Sequence, residues 1–214
     1  MDMHAHLESG APAPVLFDSR GKGILFSPAE GGKLGDVVRR GNVYAGMTDA
    51  AGVDHGSSIG TTAPICLENV FGSGVILSIL WAGMGYHSGT LGAGSLVWCI
   101  NGVLTEGPIV TSTAIAVVNM KVGSMQASVA PAKGLLHDAA TLLATPDVVR
   151  PFGNISANLA TTALAPWKLE DIVEGAIQLM PGAKASIQGI AGVAGTSPLV
   201  QYGIMWEAIP IPGA

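Results

Sequence analysis

The sequence predicts an all-β protein, a jelly-roll-like antiparallel β-sandwich preceded by an extended N-terminal arm. The chain contains 30 glycines in 214 residues, about twice the average usage of ~7%. Glycine inside a helix costs roughly 1 kcal/mol relative to alanine, so this composition favours short strands and tight turns. After Thr61, apolar runs alternate with turn residues, at the spacing of about 8–12 residues that is typical of sandwiches and barrels.

The first segment, residues 1–60, is predicted to be the extended arm. Its apolar pieces at residues 15–17 and 24–26 are too short to form a core. We expect one or two short strands in it, with residues 43–48 as the first strand that joins the body. Proline and glycine interrupt the arm at residues 11–14, 27–28 and 31–32.

The body, residues 61–214, is predicted to be the jelly-roll β-sandwich. Two long runs at residues 75–86 and 95–102 are joined by a glycine-rich link, which predicts a hairpin-like unit. The last strand alternates, with Tyr202, Ile204 and Trp206 on one face. Residues 135–143 fit a short helix or a strand equally well. Further strands are predicted at residues 64–68, 113–121, 148–152, 158–163, 167–173, 176–179, 184–193 and 199–209.

Charge and hydropathy predict an oligomer. Charged residues make up 12% of the chain, about half of the usual ~25%. Hydrophobic residues make up 49%, and the mean hydropathy is +0.48. A surface with so little charge is best covered by other subunits, because obligate interfaces are the apolar ones.

The same features exclude several classes of partner. A spanning helix needs about 20 consecutive apolar residues, and the best run, at residues 74–86, is shorter and broken. No secretory signal is visible at the N-terminus, so we expect a soluble protein made in a cytoplasm, without a membrane partner. The net charge is −5, and no Lys or Arg lies between Gly41 and Met120, so no nucleic acid is expected.

No residue pattern predicts a catalytic, metal or cofactor site. Cys66 and Cys99 lie in apolar runs and are interpreted as buried thiols. The His4-x-His6 spacing is used by metal sites of some barrel hydrolases, but this chain lacks the strand and helix alternation of such a barrel. The pair Asp54-His55 is interpreted as a solvated turn. We expect neither a metal nor a cofactor.

The remaining histidines and the tryptophans are interpreted structurally. His87 and His137 are expected at the surface or as capping residues. No Walker motif occurs, and no residue spacing demands a pocket of convergent histidines and carboxylates, so the chain is predicted not to be an enzyme. The enzyme alternative predicts convergent histidines and carboxylates in a pocket. Core packing is favoured over a carbohydrate-binding platform for the four tryptophans, Trp81, Trp98, Trp167 and Trp206.

Several stretches resemble small virion structural proteins of tailed bacteriophages. They are residues 66–77 (Cys-Leu-Glu-Asn-Val-Phe-Gly-Ser-Gly-Val-Ile-Leu), residues 85–94 (Gly-Tyr-His-Ser-Gly-Thr-Leu-Gly-Ala-Gly), Arg150-Pro-Phe, Ala165-Pro-Trp167 and the closing segment 186–207. The resemblance covers residues 61–210. It implies a trimeric jelly roll with a tumour-necrosis-factor-like arrangement, used as a capsid cement or decoration protein or as a head fibre. The resemblance implies no active site.

The implied function is that of a viral structural protein in the virion, assembled in the host cytoplasm, which trimerises and stabilises the phage head. Its expected partners are its own copies and the major capsid protein or other virion proteins. The alternative is a receptor- or glycan-binding module of a tail or head fibre, which predicts an exposed aromatic groove at the trimer tip. The arm is expected to fasten the body to the shell through Val15, Leu16, Phe17, Arg20, Ile24, Leu25, Phe26, Arg39 and Arg40.

Overall fold

The computed structural model describes residues 5–6, 12–13, 16–17, 23–24, 32–102, 109–121, 133–155, 168–191 and 198–212. Two antiparallel sheets pack against each other, so the predicted all-β sandwich is confirmed. Within these residues the single helix is α1, Gly32–Arg39.

The first sheet has six strands, all joined by antiparallel pairing. In spatial order they are β10 (Thr111–Ile115), β12 (Leu135–Thr141), β7 (Thr62–Glu68), β16 (Lys184–Ala191), β9 (Gly94–Asn101) and β13 (Asp147–Ile155). Most of the segment 135–143, which was ambiguous from the sequence, therefore forms the strand β12.

The second sheet has seven strands. Its main order is β11 (Val117–Asn119), β5 (Val43–Met47), β17 (Leu199–Pro210), β8 (Val75–Ser88) and β14 (Lys168–Ile172). The two short strands β15 (Gln178–Leu179) and β6 (Val53–Asp54) pair with β8 and β17.

The strand order is that of a jelly roll. The four strands β5-β17-β8-β14 lie in one sheet and β7-β16-β9-β13 in the other. Along these eight strands the chain changes sheet at every step except from β9 to β13, and such alternation between two sheets characterises double-sheet jelly rolls.

The core lies between the sheets and follows the period-two pattern of the strands. On β17 every second residue is buried, from Val200 to Ala208, as the sequence predicted. The indoles of Trp98 and Trp206 are fully buried. Each donates its ring N–H, Trp98 to a carboxylate oxygen of Asp171 at 2.8 Å and Trp206 to the Lys133 carbonyl at 2.7 Å. The core packing expected for these two tryptophans is confirmed.

Two predicted elements differ from the structure. The run 113–121 forms two strands, β10 and β11, because the chain passes from one sheet to the other around Ala116. No turn residue marks that crossing in the sequence. The predicted strand at 158–163 lies outside the described residues, as does Trp167.

The arm contains more structure than its sequence predicted. Two short ladders join β1 (Ala5–His6) to β2 (Pro12–Ala13) and β3 (Leu16–Phe17) to β4 (Gly23–Ile24). Helix α1 follows, and it was missed because Gly32 and Gly35 disfavour helix. The apolar spacing of Leu34, Val37 and Val38 was the available signal.

The sandwich begins before residue 61. Strand β5, predicted as the first strand of the body, lies between β11 and β17, and its residues Val43 and Tyr44 are buried. The Tyr44 and Trp206 rings are 6.4 Å apart. The last third of segment 1–60 is therefore part of the packed body.

Candidate functional site

The outer face of the seven-stranded sheet carries a continuous apolar row. Residues that pair in an antiparallel ladder project on the same face. Val118 pairs with Ala45, Ala45 with Met205, Met205 with Trp81, and Trp81 with Ile172. This row crosses five strands from one edge of the sheet to the other. We call this surface, together with Met47, the apolar face.

The apolar face is open to solvent in the single chain. Ile172 is 66% exposed, Met47 56% and Val118 54%. Scattered exposed apolar residues are ordinary on a protein surface, but a contiguous apolar patch marks an interaction site. The arrangement therefore suits contact with another apolar surface.

Trp81 gives the apolar face its shape. Gly83 on β8 pairs with Gly203 on β17. A Cβ atom built on Gly83 would lie 2.5 Å from Cζ2 and Cη2 of Trp81, so the indole lies directly over this glycine. Because neither glycine has a side chain, the ring can lie along the sheet. Trp81 is only partly buried, unlike the other two described tryptophans, so the core interpretation was wrong for it.

A shallow groove of about 560 Å³ runs beside this indole. Its lining is mostly apolar, and Lys168 and Gln201 contribute polar groups. Lys168 donates to Glu170 at 2.9 Å on the edge strand β14. This bond is the main cause that lowers the pKa of Glu170 below its ordinary value.

The outer face of the six-stranded sheet differs, because its polar side chains are covered. Lys184 pairs with Glu68 and Asn101 across the strands, and Ser186 and Gln188 follow on β16. All except Glu68 are buried, and Glu68 is largely so. We call these five residues, with His137, the polar face.

A chain of hydrogen bonds runs along the polar face to the sheet edge. His137 Nε2 lies 3.2 Å from Glu68 Oε2, and His137 Nδ1 lies 2.9 Å from the Ser112 hydroxyl. The Lys184 ammonium lies 3.8 Å from the other oxygen of Glu68. The hydrogen bond from His137, aided by the charge of Lys184, lowers the pKa of Glu68. The Glu68 carboxylate is therefore ionised and holds His137.

The predicted surface position of His137 is wrong. The residue is buried because three distant strands, β7, β10 and β12, meet around it. The sequence holds no local signal of this convergence. His55 is also buried rather than in a solvated turn, and its carbonyl accepts from the Gly189 amide at 3.0 Å. His87 is exposed, as predicted.

The arm residues predicted to bind a partner are only partly described. Leu16, Phe17 and Ile24 lie in the β3-β4 ladder. Arg39 and Arg40 lie at the end of α1 and are exposed. Val15, Arg20, Leu25 and Phe26 lie outside the described residues, so their role stays a prediction.

The two cysteines are buried in the described body. Cys66 and Cys99 are both buried thiols rather than halves of a disulfide, as predicted. Burial raises the pKa of Cys99 to about 11, which makes its thiolate scarce. Across the described ranges, no three His, Cys, Asp or Glu side chains come together as a metal site. The described helix is too short to cross a membrane.

The geometry thus defines a double-sheet β-sandwich with an open apolar face on one side and a covered polar face on the other. Comparison with known proteins finds no matching family model, no matching curated protein and no matching solved structure. The function is therefore argued from the residues and their geometry.

Proposed function

We propose that the protein is a virion structural protein, a capsid cement or decoration protein whose bodies associate as a homotrimer through the apolar face. The observation that carries the proposal is the apolar row from Val118 to Ile172, which crosses five of the seven strands and is exposed at both ends. The resemblance to small phage virion proteins supplies the trimeric state and the location on the head.

The energetics favour association through this face. Burial of apolar area contributes roughly 25 cal/mol per Å², and the row presents side chains from five strands without an intervening charge. The charged residues Lys168 and Glu170 lie on the edge strand β14. A polar rim around an apolar centre is the usual anatomy of a protein interface.

The arm is proposed to fasten the trimer to the shell. Arg20, Arg39 and Arg40 would meet acidic surfaces, and the apolar pieces at residues 15–17 and 24–26 would anchor on capsid subunits. Three arms acting together can exceed the affinity of one by roughly 10²–10⁴. A protein that binds only the assembled shell stabilises it by mass action.

Analytical ultracentrifugation tests the interface. The wild-type chain should sediment as a trimer at micromolar concentration, and Ile172→Lys combined with Val118→Lys should give monomers that keep their β circular dichroism. Phe71→Lys is the matched control, because Phe71 is 79% exposed in the turn after β7, away from the apolar face. A monomeric wild type, or equal disruption by Phe71→Lys, would contradict the proposed interface.

Truncation tests the role of the arm. The shortened chain should begin at Gly32, which removes Arg20 and both apolar pieces of the arm but keeps β5 in the middle of its sheet. It should still trimerise but no longer co-sediment with capsids of the virus that encodes it. Binding as strong as that of the full chain would show that the arm is not the anchor. Absence of the chain from purified virions, checked by mass spectrometry, would overturn the virion assignment.

A receptor- or glycan-binding fibre module is the second candidate, and the Trp81 groove favours it. A flat indole beside polar groups suits stacking against a sugar ring, and Lys168 and Gln201 lie within reach of the groove. A glycan array separates the candidates. Binding that Trp81→Ala abolishes, without binding to capsids, would favour the fibre module over the cement protein.

A further inference from the structure

Ser112 is exposed, yet its hydroxyl lies within hydrogen-bond distance of the buried imidazole of His137. The residue is exposed on β10, the edge strand of the six-stranded sheet. Its hydroxyl lies 2.9 Å from His137 Nδ1, and His137 Nε2 lies 3.2 Å from Glu68 Oε2. A nucleophile within hydrogen-bond reach of a base, which is itself oriented by a third group, is the structural signature of an activated serine.

We propose that Ser112 is a nucleophile that accepts acyl groups from small activated carboxylic esters, with His137 as its general base and Glu68 as a positioning residue. This activity goes beyond the proposed assembly role. It would also overturn the prediction, from sequence alone, that the chain is not an enzyme.

The hydrogen-bond pattern fixes the direction of proton transfer. Ionised Glu68 accepts the N–H of His137 Nε2, which leaves the lone pair on Nδ1 facing Ser112. As the Ser112 oxygen bonds to the ester carbonyl carbon, its proton passes to Nδ1. The carbon–oxygen bond to the leaving alcohol then breaks, and that alcohol takes the proton from His137. Attack by water on the acyl-serine returns the free hydroxyl and a carboxylic acid.

The surroundings support this chemistry. The side chains of His137 and Glu68 are 9% and 13% exposed, so their hydrogen bond is shielded from water. The charged groups near the imidazole are Glu68 and, behind it, Lys184, which keeps Glu68 ionised. An edge strand presents unpaired N–H groups, which are the donors available to the oxyanion beside Ser112. The open edge position favours small substrates.

Labelling with a biotin-linked fluorophosphonate tests the proposal. The full chain is treated with the probe, and the modified serines are identified by peptide mass spectrometry. Ser57 and Ser58 are internal controls, since both are exposed and neither is given a histidine partner by the described contacts. Ser112 should be labelled at least tenfold faster than either, and its rate should depend on pH, because only a neutral imidazole can accept the serine proton. The rate of p-nitrophenyl acetate hydrolysis should show the same dependence on pH.

Variants separate a catalytic role from a structural one. Ser112→Ala should abolish the fast labelling without loss of fold, because Ser112 is exposed. His137→Gln should lower the rate by about 10²-fold, the low end of the contribution of a general base. Glu68→Gln should lower it less and alter its pH profile. Labelling of Ser112 at the rate of Ser57 and Ser58, or without pH dependence in the wild type, would overturn the proposal whether or not the variants fold.

Discussion

The two outer faces of the sandwich are opposite in polarity and in exposure to solvent. The apolar face exposes Met47, Val118 and Ile172 to water. The polar face buries Lys184 and Gln188, although these residue types are rarely found inside proteins. The apolar face is left open although its composition favours burial. The polar face is covered by other parts of the same chain.

Main-chain groups bond two of the side chains on the polar face. The Gln188 amide exchanges two hydrogen bonds with the main chain of Gly60, at 2.9 and 3.1 Å. Asn101 donates to the Ala144 carbonyl at 3.1 Å. Buried polar groups are tolerated when they are bonded in this way. The apolar face is therefore the one outer face of the sandwich that is left open, which is why association between copies of the chain is proposed through it.

The largest expected change in the free energy of unfolding distinguishes two lysine–glutamate pairs. Lys184 lies 3.8 Å from Glu68 and is 3% exposed, whereas Lys168 lies 2.9 Å from Glu170 and is 72% exposed. Lys184→Met should cost roughly 3 kcal/mol of unfolding free energy, the low end for breaking a buried pair, because His137 still holds Glu68. Lys168→Met should leave the urea midpoint unchanged, since exposed pairs contribute little. A greater loss of stability in Lys168→Met than in Lys184→Met would show that the distance between the charges matters more than their burial.

Two glutamines give the next contrast. Gln188→Ala leaves both main-chain groups of Gly60 without their partner, so it should cost about 1–3 kcal/mol. Gln201, on the apolar face, donates a single long bond of 3.3 Å to the Ala50 carbonyl at the surface. Gln201→Ala should therefore change stability by less than about 0.5 kcal/mol. Equal costs in urea denaturation would mean that the cover over the polar face contributes no more than surface contacts.

The pH dependence of stability should separate two carboxylates on the paired strands β7 and β12. The pKa of Glu68 is lowered from 4.5, chiefly by the His137 hydrogen bond. Its stabilisation is therefore present above that value and is lost as pH falls through the folded-state pKa. Desolvation instead raises the pKa of Asp138 from 3.8, so ionised Asp138 opposes folding at neutral pH.

We accordingly expect Glu68→Gln to lower stability at neutral pH and to flatten its loss in acid. Asp138→Asn should raise stability at neutral pH, because the amide carries no charge and keeps an acceptor oxygen. Denaturant titrations from acidic to neutral pH measure both. A steeper acid loss in Glu68→Gln would contradict the role assigned to His137.

The smallest effect on stability concerns two glycines of one strand. A Cβ on Gly83 would meet the Trp81 ring at 2.5 Å, whereas a Cβ on Gly85 has no neighbour within 4 Å. Gly83→Ala should displace the indole and change its fluorescence, with a loss below about 1 kcal/mol because the ring can swing toward solvent. Gly85→Ala should change neither the indole fluorescence nor the stability. An unchanged spectrum in Gly83→Ala would mean that the ring does not lie on this glycine.

Much of the fold was predictable because it depends on local pattern. The apolar runs at β7, β8, β9, β16 and β17 are separated by turn residues, and each forms a strand. The separation of β10 from β11 was not predictable, since the run around Ala116 has no proline or glycine. Helix α1 was hidden by its two glycines.

The candidate site was predictable only in part. The excess of apolar residues indicated an apolar surface, but not that it lies on β5, β8, β11, β14 and β17. Trp81 looks like a core residue in sequence, and only its pairing with Ile172 and Met205 places it on the outer face. Ser112, His137 and Glu68 are far apart in the chain, so no spacing could connect them.

The sequence by itself determined the β class, the scarcity of charge, the buried thiols and the alternation that assigns one side of the last strand to the core. These properties follow from neighbouring residues, because side chains in a strand project alternately. The tertiary structure decided which outer face stays apolar, which polar residues are covered, and that a serine, a histidine and a glutamate meet. Such contacts depend on pairing between strands that are distant in the chain, and a jelly roll alternates its sheets so that nearly all its pairings are of this kind.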